Sequence, residues 1–201
     1  MIIILIGAMG AFKTSTATIF ARAYSEKNAA SKIYANFHLL LPNSIFTPFM
    51  FLPYSQLDKC LIIADDFYAL KNVEGFIAVI VNMSRKLSID AILTCQYYTM
   101  IPKQLRELST VIISPKYFPD LKTLKLNCDF KDFQSIMLIE DPISLCKDYY
   151  DTTEIVEFPT LSKIKAELLK ISKNKDDYEL NVQLYTRNKA ERKELMREWK
   201  D

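Results

Sequence analysis

The sequence has few glycines, a single histidine and no long apolar run. It contains three glycines in 201 residues, where average usage of about 7% would give roughly 14. The single histidine, His38, argues against imidazole-based metal or triad chemistry, because such sites usually need a second histidine or a cysteine partner. No apolar stretch approaches the roughly 20 residues of a membrane-spanning helix. The opening "MIIILI" lacks the basic region of a signal peptide, so we expect a soluble, intracellular protein.

The cysteines and charges indicate an ordinary globular protein. Cys60, Cys95, Cys128 and Cys146 are scattered without a C-x-x-C pair, which favours buried reduced thiols over a disulfide framework or a metal site. Half of the residues are hydrophobic, a quarter are charged and the formal net charge is +2. This composition excludes a disordered chain and does not by itself indicate nucleic acid. The length suits one α/β domain with a full core.

Two of the three glycines lie in "GAMGAFKT", residues 7–14. This stretch nearly matches the phosphate-binding loop G-x-x-x-x-G-K-[ST], with Phe12 in place of the last glycine. Such a loop needs residues that can take a positive φ and the start of a helix, so that N–H groups point at the anion. Lys13 supplies a cation for the β- and γ-phosphates and Thr14 a hydroxyl for Mg²⁺. The predicted nucleotide-binding residues are Gly7, Ala8, Met9, Gly10, Ala11, Phe12, Lys13, Thr14 and Ser15. A purely structural turn between a strand and a helix is the alternative.

Short apolar runs alternate with helical patterns through the first half of the chain. The runs with strand character are 2–6, 32–37, 60–65, 89–95 and 110–114. Helical spacing extends over 13–28, 73–87 and 102–108, as expected of amphipathic helices. Ile19, Phe20 and Ala23 mark the apolar face of the first of these helices. In the second, Phe76, Ile77, Ile80, Val81 and Met83 are predicted to face the sheet. This alternation predicts an α/β fold with a mostly parallel central sheet and right-handed crossovers.

The remaining segments have different patterns. Residues 39–59 contain three prolines and no period, so we expect a long loop with at most one helical turn. Beyond Pro115, the runs 122–128, 134–139 and 153–158 predict a β-rich edge of hairpins or antiparallel strands. Residues 161–201 predict two helices that divide near Asn174. We therefore expect a core over residues 1–158 and a helical appendage over 159–201. The charged surface of the appendage is expected to be solvated or to pack on a partner protein, and contact with DNA is the alternative.

Polar side chains follow two of the predicted strands. Asp65 and Asp66 end the run "LIIADD", and Gln96 follows "IDAILTC". We expect the strand before Asp65 to lie beside the first strand, where an acid at the carboxyl edge can hold Mg²⁺. Asp65 would hold the metal through a bound water, Asp66 would polarise the attacking water, and Gln96 would touch the γ-phosphate or that water. Alternatively, the two aspartates cap the next helix.

Together, "GAMGAFKT", "LIIADD" and "SRKLSIDAILTCQYYTMIPKQLREL" resemble the FtsK/HerA superfamily of P-loop ATPases. Within it, the nearest likeness is to zonular-occludens-toxin-like proteins and to genome-packaging ATPases of viruses and phages. "KIYANFHL" is similar to the second-strand segment of the toxin-like group, and the resemblance covers roughly residues 1–115. It implies a RecA-like P-loop NTPase core with an additional strand, and ATP and Mg²⁺ as cofactors. It also implies a homo-oligomeric ring, often a hexamer, that moves double- or single-stranded DNA through its centre.

The resemblance assigns a role to each matching residue. Lys13 and Thr14 match the Walker A lysine and hydroxyl, Asp65 and Asp66 match the Walker B pair, and Gln96 matches the sensor. Rings of this kind complete each site with an arginine from the adjacent subunit, which stabilises charge on the transferred phosphoryl group. Arg85 is favoured over Arg106 because it precedes the fourth strand, as an arginine does in the family. The alternative for either arginine is that it is simply a solvated surface charge.

Two residues depart from the family pattern. If Phe12 takes a positive φ, its side chain costs on the order of 1 kcal/mol or more, so either the loop adapts or affinity falls. Asp66 stands in place of a glutamate and is one methylene shorter, which weakens water activation. The toxin-like proteins of filamentous phages usually carry a membrane anchor, and this sequence has no such segment.

Three functions compete on these grounds. The leading one is a Mg²⁺-dependent ATPase that translocates or packages DNA, in the host cytoplasm if the protein is viral, with virion or membrane proteins as further partners. Phe12 and Asp66 favour a second, a nucleotide-gated assembly protein that binds ATP, oligomerises and barely turns over. A third, a small-molecule or nucleotide kinase, usually has an arginine-rich lid, and no arginine cluster occurs between the second and fourth predicted strands.

Overall fold

A mostly parallel β-sheet forms the centre of the fold in a computed structural model, which describes residues 1–48, 50–53, 57–69, 73–151, 160–185 and 189–197. The strands are β1 (Ile2–Ile6), β2 (Ile33–Ala35), β3 (Ser44–Phe46), β4 (Leu61–Ala64), β5 (Asp90–Cys95), β6 (Val111–Phe118), β7 (Thr123–Phe130) and β8 (Gln134–Glu140). The helices are α1 (Lys13–Lys27), α2 (Val73–Met83), α3 (Lys103–Leu108), α4 (Pro142–Cys146), α5 (Leu161–Ile171), α6 (Lys175–Tyr185) and α7 (Lys189–Arg197).

The strand order across the sheet is β3-β2-β4-β5-β1-β6-β7-β8. The pairs β6–β7 and β7–β8 are antiparallel, and the other neighbouring strands run parallel. The predicted fold class is therefore confirmed: a RecA-like α/β sheet that is mostly parallel, with a β-rich edge and C-terminal helices.

Helices cover both faces of the sheet, as the apolar run of β1 requires. Ile2 and Ile4 belong to one hydrophobic cluster with residues of α2, α3, α5, α6 and α7. Ile3 and Leu5 belong to a second cluster with residues of α1. Since successive side chains of a strand point to opposite faces, a strand with helices on both sides is apolar at every position.

Helix α1 packs on the sheet through a face that differs in part from the predicted one. Ala17 and Ala21 are fully buried, whereas Ile19 and Phe20 are half-buried and Ala23 is exposed. The prediction is wrong for Ala23, whereas Phe20 packs against the hydrophobic cluster on this side of the sheet, and small side chains occupy the fully buried positions of the helix.

Two further expectations about the sheet were wrong. The range 39–59, predicted to be a loop, contains the edge strand β3, which pairs with β2 and is too short to show a period. Strand β4, predicted to lie beside β1, is separated from it by β5, where Ala91 pairs with both Ile2 and Ile62. Order along the chain does not fix which strands are neighbours.

Several predicted boundaries shift. Helix α2 ends at Met83 rather than residue 87, because residues 84–88 form the turn into β5, with Ser88 at a φ of 51°. Strand β6 continues past residue 114 to Phe118, where it pairs with β7 alone. The predicted strand 153–158 lies outside the described residues.

The described part of the C-terminal segment contains three helices, α5 to α7, where two were predicted. The predicted break near Asn174 is confirmed, and the Asn174 side-chain oxygen accepts a hydrogen bond from the Asp177 backbone N–H at 2.9 Å. Leu168 of α5 and Tyr178 of α6 belong to the same hydrophobic cluster as Ile4 of β1. The predicted boundary between residues 158 and 159 lies outside the described residues, so the division into core and appendage stays a prediction.

The four cysteines are buried free thiols, as predicted. Among the helices of the described ranges, none combines the length and the hydropathy that crossing a bilayer requires.

Candidate nucleotide-binding site

The loop between β1 and α1 turns at two residues with left-handed backbone. Gly10 has a φ of 79° and Phe12 a φ of 62°, and α1 begins directly afterwards at Lys13. The Gly7 N–H donates to the Cys95 carbonyl at 3.2 Å, which ties the loop to the end of β5. Because the first amides of a helix have no partner inside it, the start of α1 offers N–H donors and a favourable dipole to an anion.

Gly7 is required by space rather than by a left-handed backbone. A Cβ at this position would lie 2.8 Å from the Cβ of Ala11, which is closer than two carbon atoms can pack. Gly10 has open space around it, and its positive φ is the feature that favours glycine there. The two glycines of the loop therefore serve different physical purposes.

Phe12 adopts the left-handed conformation that makes a bulky residue costly there. Its ring stacks on Tyr117 of β6, with ring centroids 4.2 Å apart and 29° between the planes. Strand β6 reaches this position because it extends beyond the part paired with β1, which ends at Ile113. An aromatic pair contributes about 0.5–1.5 kcal/mol beyond its buried area, whereas the left-handed backbone costs about 1–2 kcal/mol. The contact with Tyr117 thus offsets much of the strain.

Lys13 is buried at the start of α1, with 8% of the residue exposed. Its Nζ donates to the carbonyl of Gly7 at 2.9 Å and to that of Ala8 at 3.1 Å. These bonds hold the ammonium group inside the loop, on the side where the helix N-terminus opens. A cation held there is placed to bind the phosphates of a nucleotide.

Asp65, directly after β4, is fixed by three side chains from different parts of the fold. The Thr14 hydroxyl donates to its Oδ2 at 2.8 Å, and the Thr94 hydroxyl donates to its Oδ1 at 2.6 Å. The Asn36 side chain accepts from the Asp65 N–H at 2.7 Å and donates to the Asp65 carbonyl at 2.8 Å. A hydroxyl and a carboxylate are the oxygen ligands that Mg²⁺ takes beside substrate phosphates, so Thr14 and Asp65 fit this metal. The Asp65 carboxylate is thus bonded to these hydroxyls, and the helical segment that directly follows Asp66 is a short 3-10 helix, Phe67–Ala69.

Sequence analysis did not single out Asn36 or Thr94. Both are almost fully buried, at 3% and 0% exposure. Each is a polar residue at or next to the carboxyl end of an apolar strand, in "KIYANF" and in "IDAILTC". That position is the signal that could have found them, because a buried polar side chain needs a polar partner.

Asp66 lies beside Asp65 in a left-handed conformation, with a φ of 44°. Its N–H donates to the Thr94 hydroxyl at 2.8 Å. Its Oδ1 is buried without a hydrogen-bond partner among the described residues. Burial raises the pKa of the Asp66 carboxyl, as does the charge of Asp65, against the opposing effects of Lys13 and of a hydrogen bond with Tyr68. A carboxylate with a raised pKa is a stronger base toward a bound water.

These side chains surround a cavity of about 980 Å³. Of the predicted site, it is lined by residues 9–15, Asp65, Asp66 and Gln96. Gly7 and Ala8 contact Lys13 through their carbonyl groups. The structure therefore brings the predicted loop, the two aspartates and the glutamine to one place, at the carboxyl edge of the parallel strands.

The two arginines considered from sequence do not line this cavity. Arg85 is exposed and precedes β5, at the amino edge of the sheet, whereas Gln96 follows the same strand at the carboxyl edge. Arg106, on α3, has its guanidinium 4.9 Å from the centre of the Tyr98 ring. Arg85 could therefore contact a nucleotide-binding cavity like this one only in another subunit.

Comparisons with known proteins give a likeness of fold. No protein-family model matches the chain, and no curated protein sequence matches it. The chain is similar to the N-terminal domain of zonular occludens toxin from Neisseria meningitidis, with 14% identity, a TM-score of 0.48, and coverage of 78% of this chain and 94% of that one. It is also similar to the genome packaging NTPase B204 of Sulfolobus turreted icosahedral virus 2 in complex with ATP-γS, with 11% identity, a TM-score of 0.47, and coverage of 69% and 96%.

A third similar structure is the flagellar accessory protein FlaH from Methanocaldococcus jannaschii, with 15% identity, a TM-score of 0.45, and coverage of 69% of this chain and 84% of that one. A toxin and a packaging NTPase, the two kinds of protein that the sequence resembles, are thus both among the similar structures. At these identities and TM-scores, the similarity shows the fold only.

Proposed function

We propose that this chain is a Mg²⁺-dependent ATPase that assembles into a ring and translocates or packages DNA. The observation that carries the ATPase part is the convergence of three groups at one cavity. The Lys13 ammonium lies within the loop, and the Thr14 hydroxyl lies 2.8 Å from the Asp65 carboxylate. A cation for phosphate oxygens and a hydroxyl–carboxylate pair for Mg²⁺ are what phosphoryl transfer from a nucleoside triphosphate needs.

Each residue then has a role in hydrolysis. Lys13 binds the β- and γ-phosphates, and the amides of the loop and of Ser15 hold the phosphate chain. Thr14 and Asp65 hold Mg²⁺, which neutralises charge on the phosphate oxygens. Asp66, with its raised pKa, orients and polarises the attacking water. Gln96, at the tip of β5 between β4 and β1, contacts the γ-phosphate or that water.

The ring and DNA parts of the proposal depend on the sequence resemblance. In a ring, Arg85 of one subunit would reach the cavity of the next and stabilise the transferred phosphoryl group. Residues 1–158 would form the motor core and residues 159–201 a helical appendage. Virion or membrane proteins would be the further partners of such a motor, and the host cytoplasm its location.

The test is ATP hydrolysis with Mg²⁺, with and without DNA, in the wild type and in Lys13→Ala. We expect hydrolysis that DNA stimulates and that falls about 100- to 1000-fold in the variant, the usual effect of removing one group that stabilises transition-state charge. Lys27→Ala, at the exposed far end of α1, is the matched control and should keep the wild-type rate. An unchanged rate in Lys13→Ala would refute the proposal.

A nucleotide-gated assembly protein is the second candidate, favoured by the geometry of Asp66. Its carboxyl is half-buried and has one oxygen without a hydrogen-bond partner among the described residues. Its side chain is one methylene shorter than the glutamate of the ATPases that the sequence resembles. Tight ATP binding and ATP-dependent oligomers without phosphate release above background would select this function over a motor.

A further inference from the structure

The cavity has a second wall that phosphate binding does not explain. This wall consists of residues 143–151, which follow β8, and of residues 37–40, which follow β2; it contributes Phe37, Leu40, Ile143, Cys146, Lys147 and Tyr150 among others. Ligand sites in proteins typically occupy about 300–1000 Å³. At about 980 Å³, this cavity is at the upper end of that range and offers room beyond a phosphate loop.

The two parts of the second wall are joined to each other and to the phosphate loop. Leu39 and Tyr150 form an antiparallel bridge, and the Leu40 N–H donates to the Tyr149 carbonyl at 2.7 Å. The Tyr150 hydroxyl lies 2.7 Å from the Ser15 hydroxyl in a hydrogen bond. Ser15 is the last of the predicted nucleotide-binding residues, so the second wall begins where the predicted phosphate site ends.

A second set of contacts holds the outer part of the wall against α1. The Arg22 guanidinium lies 5.2 Å from the centre of the Tyr149 ring, and Arg22 Nη1 donates to the Leu145 carbonyl at 3.5 Å. Cys146, which follows Leu145 as the last residue of α4, is buried. The wall is therefore anchored at both ends rather than lying loosely on the surface.

Two large aliphatic side chains of this anchored wall remain open to the cavity. Leu40 is 68% exposed and Ile143 is 47% exposed, and both line the cavity. Single exposed aliphatic residues are normal on protein surfaces, but these two share one cavity with the phosphate loop. Lys147 and Asp148 line the same cavity and add polar groups beside them.

We infer that the nucleoside half of the bound triphosphate lies against this second wall, with its base packed on Leu40 and Ile143. The inference rests on the proposed function, because it places the remainder of the same ligand. The triphosphate would run from Lys13 and Asp65 toward Ser15, and the sugar and base would continue past Tyr150. A nucleobase presents flat, weakly polar faces that bury well on aliphatic side chains, and hydrogen-bonding edges that Lys147 and Asp148 can meet.

The experiment compares the binding of ATP with that of inorganic tripolyphosphate, each with Mg²⁺, by titration calorimetry. The variants are Leu40→Ala and Ile143→Ala, and the control is Leu121→Ala, a leucine that is 72% exposed outside the cavity. We expect each wall variant to weaken ATP binding about 10-fold or more, the usual effect of removing apolar contact from a pocket. Tripolyphosphate binding should stay within twofold of the wild type, and the control should bind both ligands normally.

The possible outcomes separate the two proposals. Unchanged ATP binding in both wall variants would overturn the inference and leave the ATPase proposal standing. An equal loss of ATP and tripolyphosphate binding would also overturn it, since the wall would then only support the phosphate loop. If the wild type binds neither ligand, the proposed function itself fails. Because the substituted side chains are largely exposed, the variants should fold, which thermal unfolding can verify.

Discussion

Asp66 is a carboxyl group subject to opposing electrostatic effects, and it lines the same cavity as Lys13. Burial and the charge of Asp65 raise its pKa, whereas Lys13 and the hydrogen bond with Tyr68 lower it, and the net shift is upward. The left-handed backbone at this position suits aspartate and asparagine, whose short polar side chains tolerate it better than most. Burial and the neighbouring charge of Asp65 therefore make the ionised form of Asp66 unfavourable in the folded protein.

The raised pKa of Asp66 predicts how the stability of the protein depends on pH. Above the ordinary value of 3.8, the unfolded chain releases this proton while the folded protein still holds it. The free energy of unfolding therefore falls as pH rises from 3.8 to the raised pKa. Above the raised pKa, this carboxyl causes no further decrease in the free energy of unfolding. We expect Asp66→Asn, which cannot ionise, to be more stable than the wild type at neutral pH. The difference should narrow as pH falls toward 3.8.

Urea unfolding of both proteins across this pH range measures the effect. Asp120→Asn, an exposed carboxyl in the turn between β6 and β7, is the control and should follow the wild-type curve. If the curves for Asp66→Asn and the wild type run parallel at all pH values, Asp66 does not carry the strained charge that we assign to it.

At the scale of elements, the junction of β1 and α1 depends on one close approach. Gly7 at the end of the strand faces Ala11 in the loop, and a methyl group on Gly7 would meet the Ala11 methyl at 2.8 Å. The backbone on both sides is fixed, because the Gly7 N–H bonds to Cys95 and the Gly7 carbonyl accepts from Lys13. A side chain at residue 7 would therefore displace the loop and the Lys13 ammonium together.

This contact predicts a rescue between two substitutions. Gly7→Ala should weaken binding of Mg²⁺-ATP about 10-fold or more and lower stability by about 1–3 kcal/mol, as overpacking usually does. Adding Ala11→Gly removes the methyl group that the new one would meet, so the double variant should recover most of both losses. Calorimetric titration and thermal unfolding of the four proteins of the cycle measure the coupling. Independent, additive effects of the two substitutions would contradict the close approach.

Elements with a long or strongly patterned sequence could be predicted. A very short strand, and a helix face made of small residues, could not. The apolar run of β1 and the loop motif are local signals, and both were found in place. Strand β3 is three residues long, so no period can be detected in it. The buried face of α1 consists of Ala17, Ala21 and threonines, whose size reveals nothing about burial until the sheet beneath them is known.

The residues of the candidate site could be predicted from sequence only where they belong to a motif. Lys13, Thr14 and Asp65 belong to motifs with fixed spacing, and their convergence followed from placing strands in a parallel sheet. Asn36 and Thr94 belong to no motif. Their role depends on β2 and β5 flanking β4, which the sequence order of the strands does not determine.

At the scale of the whole molecule, the sheet separates Arg85 from the site of its own chain. Arg85 precedes β5 and Gln96 follows it, and six strand residues at about 3.3 Å each span roughly 20 Å. An arginine that stabilises the transferred phosphoryl group must touch it. If Arg85 serves this role, one subunit must supply it to the cavity of another, as the ring proposal requires.

Mixing two inactive variants tests this arrangement. Lys13→Ala subunits keep Arg85, and Arg85→Ala subunits keep an intact loop, so a site formed between the two kinds contains both groups. Alone, Arg85→Ala should lose about 1000-fold or more in ATP hydrolysis, the usual effect of removing such an arginine, and Lys13→Ala about 100- to 1000-fold. Random mixing in equal amounts should restore about a quarter of the wild-type rate, since half of the loops are intact and half of their neighbours supply the arginine. Arg106→Ala is the matched comparison and should stay active on its own. Full activity of Arg85→Ala, or no recovery on mixing subunits that exchange, would show that the arginine does not act between subunits.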